Sequence, residues 1–269
     1  DVAAGRPARL QVIADGTDSN SAVVGLGHAS QIVSGLGAEL LSRAPRRAPR
    51  EASSARVELV PRVWYNPDLK SRWFYVPAVL ALVLMLVTMM LPSMAVVREK
   101  EIGTLEQISV TPLRPWQLIL GKLAPYVVIG LVDMLLIVAL ARVIFGVPLR
   151  GSLALLTLLT LLFLLNTLGL GLLVSTMVST QQQAMMFSAF VLLVPMVYLS
   201  GLIFPIENMP LLFQVGTYVI PVRYYGNVIR GVFLRGSGLE VLWPDALALV
   251  GIGTVVLTLA ALRFRKSLD

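Results

Sequence analysis

From Phe74 onward the chain is written in long apolar runs separated by short polar breaks. A helix needs about 20 apolar residues to cross roughly 30 Å of hydrocarbon. Five segments meet or approach that length: about 74–97, 123–145, 153–178, 184–204 and 246–262. The first carries no charge, and Leu123 to Ala141 carries only Asp133. No residue between Gly151 and Ile206 is charged, which is too long for one crossing, so the polar break STQQQ at Ser179 to Gln183 marks a reversal. The runs lack the alternation of barrel strands, and backbone in lipid must satisfy its own hydrogen bonds, so all five are predicted to be α-helices.

Before the first run the pattern changes. A short strand is expected at Leu10 to Ala14, then an Asp15-Gly16 turn and a helix from about Asn20 to Arg43, with Asp18 or Ser19 as its cap. A Pro- and Arg-rich stretch follows, with one strand at Ala55 to Val60. The chain therefore divides into a small α/β domain and linker, 1–72, and a transmembrane domain, 73–269. In a five-span path the basic residues abutting spans, Arg98 and Lys100, Lys122, and Arg263, Arg265 and Lys266, fall on one side. The positive-inside rule makes that side cytoplasmic and residues 1–72 extracytoplasmic. Such a segment needs a preceding crossing, so a transmembrane helix upstream of Asp1 is expected.

Composition agrees with membrane residence. Of 269 residues, 57% are hydrophobic and 14% charged, against about 45–50% and 25% in a typical soluble domain. The net charge of +7 is scattered between apolar runs, which argues against nucleic acid and for the lipid surface. No Cys is present and His28 is the only histidine. A disulfide framework, a thiolate site and an ordinary zinc site are thereby excluded, and no metal ligand or catalytic constellation is proposed.

The charged break after the first span carries the most information. Ile102, Leu105 and Ile108 share one helical stripe while Glu99, Lys100 and Glu106 lie off it, so Arg98 to Val110 suits an amphipathic helix at the membrane surface, stopped by Thr111-Pro112. A second helix start is predicted at Pro115-Trp116. Gly103 costs such a helix about 1 kcal/mol relative to Ala, which suggests close approach of another surface.

VVREKEIGTLEQISVTPLRPWQLILGK resembles the cytoplasmic segment of ABC-2 type permeases, the membrane subunits of bacterial ATP-driven exporters. The resemblance implies a coupling helix, 98–112, that docks into the nucleotide-binding subunit, and it falls on Arg98, Glu99, Glu101, Gly103, Thr104, Glu106, Ile108, Thr111 and Pro112. The stretch Leu199 to Gly238 is similar to the segment before the last span in the same family. There re-entrant helices are implied over about 205–243, with Pro205, Asn208, Pro210, Pro221, Arg223, Tyr224, Arg230, Gly231, Leu234 and Gly236 at the expected places. VIADGTDSNSA is similar to the extracytoplasmic domain of the multidrug or antibiotic efflux branch.

Together these readings imply an all-α polytopic protein of the bacterial cytoplasmic membrane. Its five visible spans and re-entrant helices join a small extracytoplasmic α/β domain. The family's sixth span would be the missing N-terminal one. Implied partners are an ABC ATPase, which would bind ATP and Mg since no phosphate-binding loop occurs here, and a second permease, identical or related, in the lipid bilayer.

Inside the spans, Asp133 would cost about 2.5–3.5 kcal/mol facing lipid and must face protein or water. It is a translocation-pathway candidate together with Asn166, or else a bonded acid held by Asn166 or Thr167. Gly169, Gly171 and Ser175 form a small-residue face for internal packing or a dimer seam. Met85, Met89, Met90 and Met94 suit core packing or an adaptable pathway. An ion-gradient-driven transporter is the alternative reading, with Asp133 as its only intramembrane acid, and a membrane enzyme is a third.

Overall fold

The computed structural model describes residues 8–43, 57–104, 115–202 and 206–266. The chain separates into two compact units, Asp1–Phe74 and Tyr75–Asp269.

In the first unit, β1 (Ala8–Asp15) and β2 (Val57–Trp64) pair in parallel from Ala8↔Val57 to Asp15↔Trp64, joined by α1 (Ser19–Arg43). Asp15 turns the chain by accepting the Thr17 N–H at 2.9 Å. Gly16 then donates to the Trp64 carbonyl at 2.9 Å, and a Cβ there would stand 2.5 Å from Val63 Cγ1, so only glycine fits. Asp18 caps α1 through the N–H of Asn20 at 3.0 Å. Ala22 and Val33, on one face of α1, are buried. Ala55 and Arg56 lie outside the described residues, and β2 continues past Pro61 to Trp64; in a two-stranded sheet both strands are edges, where proline is tolerated. Beyond β2, the Lys70 ammonium, 2.7 Å from Asp68, holds that carboxyl below its ordinary range.

The membrane unit contains α2 (Ser71–Ile102), α3 (Pro115–Val143), α4 (Leu153–Ser175), α5 (Gln181–Leu199), the short α6 (Leu211–Gly216), α7 (Pro221–Arg230) and α8 (Leu239–Lys266). Among the described residues, five helices are long and apolar enough to cross a bilayer: α2, α3 from Gln117, α4, α5, and α8 to Phe264. They match the five sequence runs, with ends moved by several residues. α5 widens to π-helical geometry over Phe187–Leu193, just before Pro195, which has no N–H to continue the regular ladder.

α4 is the centre of the bundle. Of its apolar window 56% is buried, against 11% for α5. Leu156, Leu159, Phe163, Leu164, Leu168 and Leu172 fall along one helical face and are all enclosed. Gly171 lets α4 close on α2: a Cβ there would meet the Met89 carbonyl at 2.4 Å and the Pro92 ring at 3.1 Å. Gly169 faces Val256 and Leu257 of α8 instead. The small-residue face is therefore internal packing in two directions. Met85 and Met89 are core residues, fully buried.

Candidate functional site

The apolar run of α2 ends at Val97, but the helix does not. Arg98 to Ile102 form its last turns, so the expected separate helix starting at Arg98 is, in its first part, a straight continuation of α2. Gly103 ends it with φ +79°, donating to Lys100 O at 3.3 Å. Nothing lies within 4 Å of a Cβ built there. That emptiness holds among the described residues of this chain alone; its φ suits the glycine to a left-handed reversal, the usual way a helix stops. Thr104 Oγ1 donates to Glu99 O at 3.2 Å. Glu106, Ile108, Thr111 and Pro112 lie outside the described residues.

Three consecutive charges on the last turns of α2 reach three different elements. Residues one apart on a helix point about 100° apart, which makes this possible. Glu99 pairs with Lys122 of α3. Lys100 Nζ donates to Val178 O, just past the end of α4, at 3.3 Å. The Glu101 carboxylate accepts two bonds from the first residue of α5, the Gln181 N–H at 2.9 Å and Nε2 at 2.6 Å. The signs suit the helix ends, a cation at a C-terminus and an anion at an N-terminus. Arg98 is exposed.

The α4–α5 turn is itself well built. Thr180 caps α5 and Gln183 reaches back, a reciprocal capping box. Beneath it Val97, Val174, Val178 and Ala184 form a buried apolar cluster, with Met94, Phe187 and Leu192 against it. Sequence reasoning took STQQQ as a polar break and missed Gln181 as a partner of Glu101. The readable signal was the Thr180-x-x-Gln183 spacing, which announces a helix start with its first N–H groups open to an anion.

Within the bundle, Asn166 is fully buried and donates to Leu162 O at 2.8 Å and to Leu249 O of α8 at 3.0 Å. It ties α4 to α8. Thr167 is bonded to Thr88 of α2 at 2.8 Å. Neither holds Asp133, so the bonded-acid arrangement expected with them is not formed. Asp133 Oδ2 is shielded and without a hydrogen-bond partner among the described residues. An apolar cavity of about 660 Å³ opens between α3, α4 and α8, lined by Ile119, Leu123, Val127, Leu165, Leu168 and Leu257 among others.

At the other end of α4, Pro221 opens α7 in the first-turn position that suits proline. The Arg223 guanidinium stacks on Tyr218, 4.2 Å from the ring centre, and Tyr224 Oη donates to Tyr218 O at 2.9 Å. Arg230 is half-buried in the last turn of α7, and a wider turn, Gly231–Arg235, continues it. Pro205 lies outside the described residues.

The family described as ABC-2 family transporter protein matches residues 1–262. The chain belongs to the ABC-2 transporter family. It is 36% identical over 259 residues to "Probable multidrug ABC transporter permease YbhR" of Escherichia coli (strain K12), covering 96% of this chain and 68% of that protein. It is 34% identical over 262 residues to "Probable multidrug ABC transporter permease YbhS" of the same strain, covering 97% and 68%. Against "Inner membrane transport permease YhhJ", also of that strain, it is 32% identical over 271 residues, covering 100% and 70%. The ABC-2 permease is thus a multi-pass transport protein. Four of its spans, the charged end of α2, the α7 region and α8 up to residue 262 fall within the matched residues.

Proposed function

We propose that this permease is the membrane half of an exporter whose energy comes from a separate ABC ATPase, and that it moves a hydrophobic or amphipathic substrate out across the bacterial cytoplasmic membrane. The observation that carries the reading is the charged end of α2, whose side chains reach α3, the end of α4 and the start of α5. A push on the stretch 98–112, at the cytoplasmic side in this reading, is thereby delivered to four spans at once. ATP and Mg would sit on the ATPase. Arg98, Glu106 and the residues to Pro112 would meet it, while a second permease, identical or related, would supply the other wall of the pathway.

The apolar cavity between α3, α4 and α8 supports a greasy substrate, since pockets of this kind bind by excluded water and shape. Asp133, whose Oδ2 is shielded and lacks a hydrogen-bond partner among the described residues, is the candidate contact for a substrate cation along the pathway. Asn166, bonded on both amide hydrogens, holds the helices that shape it. The Pro221 to Gly231 region would form the re-entrant cap on the outer side.

Tagged chain solubilised from bacterial membranes is expected to bring an ABC ATPase with it. Proteoliposomes holding both should move a bisbenzimide dye only with hydrolysable ATP. Dye movement driven by an imposed proton or sodium gradient with the ATPase left out would replace this reading with an ion-coupled transporter.

A further inference from the structure

We infer that Glu101 is a positioning residue whose bonds to Gln181 make the end of α2 and the α4–α5 turn one mechanical body. The inference rests on the permease reading and adds how the drive spreads from the stretch after α2 to α4 and α5. The geometry has three parts. Glu101 accepts both the backbone N–H and the side-chain amide of Gln181, so it grips the start of α5 at two points. Lys100, the preceding residue, holds the Val178 carbonyl at the end of α4. Between these grips the turn is stiffened from within, because Gln183 Oε1 accepts the N–H groups of Ser179 at 3.0 Å and Thr180 at 3.3 Å.

Exposed hydrogen bonds contribute little one at a time, so stability is not what this arrangement serves. What it fixes is direction. A helix end held only by the apolar cluster beneath could roll, since packing of small aliphatic side chains is not directional. Two bonds from one residue on α5 to one carboxylate, with a third bond 78 positions away in sequence from Lys100 to Val178, remove that freedom. Without the grip, motion of 98–112 would reach α2 and α3 but be lost before α5.

The chain has no cysteine, so a covalent replacement of the grip can be made and unmade cleanly. E101C/Q181C permease is reconstituted with its ATPase, and dye moved per ATP hydrolysed is measured before bridging, after bridging with a short bis-methanethiosulfonate, and after dithiothreitol. Unbridged, the ratio is expected to fall about threefold or more while hydrolysis continues. Bridging should restore it and reduction should remove it again. An unbridged variant as well coupled as wild type overturns the proposal, and so does a bridge that stops transport, because the two parts would then have to separate during the cycle. Wild type that moves no dye with ATP is a different failure: it strikes the permease reading, and this inference with it.

Discussion

The two ends of α4 are held in opposite ways. At its C-terminal end the neighbours are tied by side chains at the surface: Lys100 on Val178 O, Glu101 on Gln181, Glu99 on Lys122. At its N-terminal end the ties are backbone and buried aromatic. Arg150 and Gly151 donate their N–H groups to Phe233 O at 3.1 Å and Val232 O at 2.9 Å, while Arg150 Nη1 reaches Leu234 O at 3.1 Å. Tyr225, fully buried, stacks on Phe163 with ring centres 4.0 Å apart and shares a hydrogen bond with Thr160 at 2.9 Å. Long charged side chains can re-form their contacts after a shift of an ångström or two. Stacked rings and backbone bonds cannot. In the proposed exporter the N-terminal end would therefore be the anchor, and the C-terminal end the place where displacement enters.

The comparison is broken most severely at the anchor. Tyr225→Ala removes a large enclosed ring and its bond to Thr160, which keeps only the Leu156 carbonyl; a cost of about 3–5 kcal/mol is expected, read as a large drop in melting temperature in detergent. Tyr225→Phe keeps the stack and loses only the hydroxyl bond, so about 1 kcal/mol is expected. If both variants melt like wild type, the anchor is misplaced.

Next comes Gly151→Ala. The new Cβ would stand 2.9 Å from Val232 O and 3.0 Å from Val232 Cγ1, so either the backbone bond at this place lengthens or the wide turn Gly231–Arg235 shifts. Overpacking of this kind costs about 1–3 kcal/mol. Thermal unfolding of the variant checks it, and an unchanged midpoint would show that this loop yields more easily than its bonds suggest.

What could be read beforehand follows the same division. The five spans were legible because apolar length is a property of each segment alone, and so was the β–α–β order of the first unit. Proline at the start of α3 told where that helix begins. Contacts across the bundle were not legible. Asp133 looked as if it needed Asn166 or Thr167, yet Asn166 turns to the Leu249 carbonyl and Thr167 to Thr88, since which face meets which helix depends on packing that no single run encodes. Gly103 was read for space, and its positive backbone angle, a second use of glycine, was not foreseen. The extension of α2 through Arg98–Ile102 was hidden because charge marks the edge of the lipid, and a helix need not stop there.

The smallest effect on stability is expected at the entering end. Lys122→Ala removes the partner of Glu99, and both side chains have access to solvent, with 14% and 36% of their surface exposed. Such pairs contribute roughly 0.2–1 kcal/mol, and salt screens them over about 10 Å at 0.1 M. The variant should therefore melt close to wild type, and the small difference should shrink further in about 1 M salt, where the screening length falls to roughly 3 Å. Its dye moved per ATP, by contrast, should fall measurably, because α3 loses its tie to the end of α2 while the grip on α5 stays. A variant that melts much lower than wild type would make Lys122 a second anchor and erase the difference between the two ends; one that is neither less stable nor less coupled would leave the Glu101 contact to carry the drive without help from α3.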